Sequence, residues 1–510
     1  MKKLAILMIL SLCILLLSSC EMQSSLEDMS DNLKDKIIDM VGPFIEKNTD
    51  TDTNTDEVLD NDTNDIPSDF PSDTPNDITS DIPSDTPSDI PDTPDTPDVP
   101  VIPEKPEYVL LEREKYPLNK YIGLDIIKSG VNLKDNDYKF RTAYGYGRYE
   151  TTLDDIMGAN PIAYFTISGM ESSFSVDFDL SKARAEANEG EISFNEIASK
   201  IHEFAKKYCV NSLTSKLTRI ELGSNPDTTI SAGDYALLLN LIYDNNCKQN
   251  GYDVENPGTT FINTDIRLIT GKMSSYNLPY IKELMDQVKL LRHDDFLPIG
   301  GWSFSVNTEG KSPEELFANN EALKELISYR NENYSSIEIL LNDFGWDTVN
   351  ESNANYVAPT SKYTSEEIQA MYILRSYLIL QGMGVDKASY DLLNDTSDLG
   401  HGLIDKDGNK KLSFEILEYF KTKTNGMYLT EVISSGEKNV YAYKFENQNG
   451  KTLYAFWSPT SGSVNLKNQP ESVTISYYDT TTKTYVDMEK TISDGLFSKS
   501  IDSCVMFLEY

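Results

Sequence analysis

Beyond about residue 107, apolar residues fall into short runs separated by longer amphipathic stretches, and the two alternate. Eight runs read as strands: Tyr121–Ile126, Tyr138–Tyr144, Ile162–Ile167, Thr218–Gly223, Thr264–Ile269, Phe296–Phe304, Ser336–Asp343 and Ala388–Leu392. The stretches between them read as helices, some with explicit start signals. Ser193-Phe194-Asn195-Glu196 and Thr364-Ser365-Glu366-Glu367 have the order of a capping box, and Ser312-Pro313-Glu314-Glu315 adds a proline at the first helical position. Eight strands alternating with helices predict an α/β fold, a closed (β/α)8 TIM barrel over residues 107–425. After Met427 the period changes to strands alone: Val440–Phe445, Thr452–Trp457, Ser472–Tyr478, Thr484–Met488 and Cys504–Leu508, divided by turns such as Gln448-Asn449-Gly450. Residues 426–510 therefore predict an all-β sandwich.

The first hundred residues follow other rules. Met1-Lys2-Lys3 and an apolar run from Leu4 to Leu17 make a secretory signal, too short for a lasting membrane span. Its ending, Leu17-Ser18-Ser19-Cys20, resembles the bacterial lipobox. That resemblance implies cleavage after residue 19, lipidation of Cys20, and a lipoprotein anchored to a membrane and displayed at the cell surface. In residues 20–48, Leu26, Met29, Leu33, Ile37, Met40, Val41 and Phe44 recur near helical spacing, which suits either a membrane surface or a protein dock. Residues 49–106 collapse to Asp, Thr, Pro, Ser and Asn. Such a composition cannot bury enough apolar surface to fold, and it predicts an extended spacer with a reach on the order of 150 Å.

Charge and residue counts narrow the chemistry. The chain of 510 residues has a formal net charge of −37, and Asp50 to Glu104 hold seventeen acidic residues and no Lys or Arg. Nucleic acid is excluded as a partner, because its phosphates would be repelled. The three histidines are His202, His293 and His401, too few to expect an imidazole metal site or a Ser/His/Asp triad; no metal and no cofactor is predicted. Of five cysteines, Cys13 leaves with the signal and Cys20 carries lipid. Cys209, Cys247 and Cys504 remain, which allows one bridge between Cys209 and Cys247 or three free thiols.

Two strand ends carry the candidate chemistry. Ile220-Glu221-Leu222-Gly223-Ser224-Asn225-Pro226-Asp227 resembles the fourth-strand motif of clan A glycoside hydrolases, Glu-x-x-Asn-Glu-Pro, whose second Glu is the general acid/base. Glu221 matches the first Glu, Ser224 the Asn and Pro226 the Pro, while Asn225 stands at the acid/base position. A carboxamide can neither give nor take the proton that cleavage needs. Asp343-Phe344-Gly345-Trp346 resembles the seventh-strand Glu-Phe-Gly-Trp motif and puts Asp343 at the nucleophile position, its carboxylate roughly 1.5 Å further back than a glutamate's. The run Asp405-Lys406-Asp407-Gly408-Asn409 lacks the spacing of a calcium loop and reads as a simple turn after the last barrel strand. His293 reads as structural.

The resemblance implies a polysaccharide or oligosaccharide ligand. Sugar rings stack on aromatic faces and bond to planar polar groups. Tyr144, Tyr146, Arg148 and Glu150 offer both, with Trp302 and Trp346 at strands six and seven and Ser224 and Asp227 at strand four. Three readings stay open: a sugar-binding barrel with a degenerate site; a hydrolase using Asp343 with another carboxylate, from Glu221, Asp227, Glu150 or Asp347; and a surface scaffold or adhesin.

Overall fold

The computed structural model describes residues 122–127, 146–157, 171–208, 217–243, 266–292, 295–349, 351–391, 395, 399–433 and 439–510. Eight parallel strands close into a barrel: β1 (Ile122–Ile127), β2 (Tyr146–Thr152), β3 (Glu171–Asp177), β4 (Leu217–Ser224), β5 (Arg267–Lys272), β6 (Gly301–Phe304), β7 (Glu338–Phe344) and β8 (Lys387–Tyr390). Each pairs with its neighbours in chain order, and β8 returns to β1 with Ile122 opposite Ala388. The (β/α)8 barrel followed by an all-β domain is thus the architecture.

Two strands differ from the sequence expectation. Tyr138–Tyr144 and Ile162–Ile167 lie outside the described residues, and the second and third strands are Tyr146–Thr152 and Glu171–Asp177. On β3, Phe174 and Val176 face outward into the apolar core while Ser173 and Ser175 are buried. On this strand the polar residues face the inside of the barrel, so the alternation has the opposite sense from the apolar run that marks a buried strand.

Among the described residues seven helices accompany the barrel: α1 (Phe194–Tyr208), the single turn α2 (Pro226–Thr229), α3 (Ala232–Tyr243), α4 (Leu278–Leu291), α5 (Glu321–Asn333), α6 (Ser365–Met383) and α7 (Leu412–Lys423). The capping box on α6 forms in full, Thr364 accepting from the Glu367 amide and Glu367 accepting from that of Thr364. Ser312 and Glu315 exchange the same bonds but begin a short π-turn, Glu314–Ala318.

The all-β part has β9 (Tyr428–Val432), β10 (Tyr441–Glu446), β11 (Thr452–Trp457), β12 (Gly462–Leu466), β13 (Ser472–Asp479), β14 (Thr484–Thr491), β15 (Phe497–Ile501) and β16 (Met506–Glu509). Six form one sheet in the order β9-β10-β11-β16-β13-β14, and β12 pairs with β15. The two sheets enclose a core of their own, including Phe456, Val464, Ile475 and Phe497. The other face of the large sheet, with Tyr443, Trp457 and Phe507, joins the barrel's core. Helix α6 lies between barrel and sheet and is buried on nearly every side; a Cβ at Gly382 would overlap the Tyr443 ring.

Candidate active site

The barrel interior is built in layers, and charge enters at the first. At the N-terminal ends of the strands, Arg219 holds Glu338 with two parallel bonds of 2.7 and 2.8 Å, joined by Arg267 at 2.8 Å. Lys387 and Arg219 reach Glu171 at 3.0 and 3.3 Å. Above these lie Ile269 and Leu340, with Gly301 leaving them room.

Glu221 occupies the next layer. One of its oxygens accepts from Arg148 Nη2 at 2.6 Å and Ser175 Oγ at 2.8 Å, the other from Ser303 Oγ at 2.6 Å and Asn342 Nδ2 at 3.0 Å. Both oxygens are doubly occupied and the side chain is fully buried. A carboxylate so placed ties β4 to four other strands and has its hydrogen-bonding positions taken by them. The expectation of a catalytic Glu221 is corrected accordingly. Arg148 is likewise buried, its guanidinium shared between Glu221 and Glu150.

The mouth opens at the C-terminal ends of β2, β4, β5 and β7. Lys272 Nζ lies 2.7 Å from Glu150 Oε1 and 2.7 Å from Asp343 Oδ2. The two oxygens therefore lie within twice that distance of each other. A retaining glycosidase keeps its two carboxyl groups about 5–5.5 Å apart with room for substrate between them; here one ammonium bonds to both carboxylates. The position of Lys272 follows from Gly271. A Cβ at Gly271 would overlap the carbonyl oxygens of Leu222 and Gly223, so only glycine lets β5 run this close to β4 and set Lys272 opposite Ser224.

Electrostatics leave these groups ionised. Burial works to raise the Glu150 carboxyl, but Arg148 and Lys272 outweigh it and hold it far below the ordinary carboxylate range. Burial likewise opposes ionisation of Asp343, and the charges of Lys272 and Arg148 again prevail, so its pKa is lowered. Burial and the charge of Arg148 act against the Lys272 ammonium, yet Asp343, Glu150 and Glu221 together hold its proton more firmly than usual. None of the three is suited to donate a proton near neutral pH.

Asn225 is exposed at the end of β4, in the left-handed region at φ 51°. Its amide donates to the Lys272 carbonyl at 2.7 Å, and its own carbonyl accepts from Thr228 and Thr229 at the start of α2. Ser224, half-buried, faces Lys272 in the strand register. Asp227 turns to the loop after β5, accepting from the Ser274 amide at 3.1 Å and the hydroxyls of Ser274 and Ser275. It joins the ends of β4 and β5.

The aromatic platform is not assembled from the residues expected. Trp302 is fully buried on the outside of β6, stacked on Tyr329 and edge-on to Tyr334. The reason is alternation: Ser303 points inward, so its neighbours point to the helices. Trp346 is also fully buried, donating from Nε1 to the Lys311 carbonyl and packed against Phe344 and Tyr372. Tyr146 opens β2 at the strand end opposite the mouth, which corrects the expectation that it borders a loop there. Tyr144, His293, Cys209 and Cys247 lie outside the described residues.

Beside the mouth, Asp347 is buried and 2.8 Å from His401 Nδ1, and His401 Nε2 lies 3.6 Å from Asp391. The Asp405 carboxylate accepts from the amides of Asp407 and Asn409 and from the Asn409 side chain, which closes a local turn. The sequence expectation ends the fifth strand at Ile269 and does not single out Lys272. The strand pattern continues through Thr270 and Gly271, and following it to Lys272 is the signal that could have found it.

No family profile and no curated protein matches the chain. Among solved structures, it is similar to a family 39 glycoside hydrolase from Bacteroides cellulosilyticus WH2, with 16% identity, a TM-score of 0.55, and coverage of 77% of this chain and 80% of that one. A GH30 endoxylanase from Clostridium papyrosolvens C71 is similar at 12% identity and a TM-score of 0.50, over 78% of this chain and 97% of that one. A conserved exported protein from Bacteroides fragilis is similar at 9% identity and a TM-score of 0.51, over 78% and 98%. At these identities the likeness is one of fold, and the fold is a glycoside hydrolase-like barrel with its β-sandwich.

Proposed function

We propose that this chain is an exported bacterial lipoprotein, anchored through Cys20, whose barrel binds polysaccharide or oligosaccharide without cleaving it. One observation carries the reading: Lys272 stands between the two mouth carboxylates while Asn225 stands where the acid should be. Cleavage of a glycosidic bond needs a protonated acid near the leaving oxygen. Glu150 and Asp343 are both held ionised, so the mouth has acceptors for sugar hydroxyls and no acid. A second reading has its own support in the closeness of Glu150 and Asp343, both bonded to Lys272, and takes the chain as a hydrolase using Asp343 as nucleophile and Glu150 as acid/base.

A panel of polysaccharides separates the two, beginning with xylan after the endoxylanase among the structural neighbours. The full chain is expected to retain at least one polysaccharide in a pull-down and to release no reducing sugar. Release that vanishes in both Asp343→Ala and Glu150→Gln would favour the hydrolase. Neither retention nor release would refute both readings and leave a surface scaffold.

A further inference from the structure

The mouth of this barrel holds a positive charge of its own, in a place where general chemistry expects one. When a pair of carboxyl groups breaks a glycosidic bond, the transition state resembles an oxocarbenium ion, with positive charge developing on the sugar ring beside the carboxylates. Here a fixed ammonium already sits between two carboxylates, 2.7 Å from an oxygen of each. It arrives from β5, the neighbour of the strand that ends in Asn225, and its side chain is only 12% exposed.

We propose that Lys272 is an autoinhibitory occupant of the cationic position between Glu150 and Asp343, so that a neutral sugar chain rests over the mouth while no sugar ring or cationic sugar mimic enters between the carboxylates. Lys272 is the side chain that hydrogen-bonds Asp343 among the described residues, whereas Glu150 keeps Arg148 as a second partner. Removing the amine would leave a short, negatively charged gap with one wall still fixed by Arg148. Such a gap favours a compact cation over a neutral ring, since a charge-assisted bond is roughly twice as strong as a neutral one. The inference rests on the reading that the carboxylate pair does not turn over substrate.

The test is calorimetry on the full chain, comparing wild type with Lys272→Ala and Lys272→Met. The ligands are deoxynojirimycin, a piperidine iminosugar protonated at neutral pH, and glucose, a neutral ring of similar shape. Both variants are expected to bind the iminosugar at least about tenfold more tightly than wild type, with no such gain for glucose. Propylammonium is expected to raise the melting temperature of Lys272→Ala and not that of wild type. Equal affinity of wild type and folded variants for the iminosugar would overturn the proposal, as would an equal gain for glucose. If both variants unfold, refolding on addition of propylammonium would support it and failure to refold would overturn it. Polysaccharide takes no part in this measurement, so loss of polysaccharide retention leaves its outcome unaffected.

Discussion

Asn225, just after β4, and Asp343, on β7, are both left-handed, at φ 51° and 69°. Asn and Asp adopt this backbone at less cost than other residues with a Cβ. The residue types at both positions therefore agree with the local backbone. The charges around them set a pH dependence. Glu150 and Asp343 have folded pKa values below their unfolded ones. Their contribution is thus complete above the unfolded values near 4 and is lost as pH falls through the lower folded ones. Urea midpoints should decline as pH drops below about 4. In Lys272→Met, which removes the charge, the part of that decline belonging to Asp343 should shrink. An unchanged slope in the variant would show that Lys272 does not hold this carboxylate.

The strands decide where these side chains can reach. Gly271→Ala would press a methyl group into the carbonyl oxygens of β4, forcing β5 away and withdrawing Lys272 from Asp343. The expected cost is about 1–3 kcal/mol, read from chemical denaturation. It should exceed that of alanine at Gly233, where the space is nearly open. The same alternation explains how legible the barrel was from the sequence. Strands β4, β6 and β7 were readable because their outward faces bear Ile220, Leu222, Trp302, Phe304, Ile339 and Leu341. Strand β3 was missed because Ser173 and Ser175 make room inside for Glu221 and Arg148, and a serine-rich run looks like a loop. The two motifs mark Asp343 and Asn225 in the sequence, and the structure puts both at strand ends on the mouth side. A lysine at the end of a strand has no local signature, since its meaning comes from Glu150 and Asp343, each more than seventy residues away.

At the scale of the barrel and sandwich together, the barrel's core continues onto one face of the large sheet, and the contact between them is sealed by a buried carboxylate. Glu314 accepts from Arg375 Nη2 and from Trp457 Nε1, each at 2.7 Å. Glu367 accepts from Tyr478 across the same boundary, and Arg375 also donates to the Ser503 carbonyl. Glu314→Ala would leave Arg375 buried with its charge unmatched, at a cost of about 3–5 kcal/mol. Barrel and sandwich are nonetheless expected to melt together, because the large sheet has one face in each core. Two separate calorimetric transitions in wild type would contradict that coupling.

The charged floor of the barrel has a consequence for how the chain finds its fold. Arg219 and Glu338 are 119 residues apart in sequence, and Lys387 and Glu171 are brought together from the last and third strands. A strand that paired one step out of place would turn its inward charge toward the helices and leave its partner alone in the barrel. Such a mispaired closure would have little to stabilise it, because an unmatched buried charge costs several kcal/mol. The floor thus weighs against any closure in which β3, β4, β7 and β8 are not all in register.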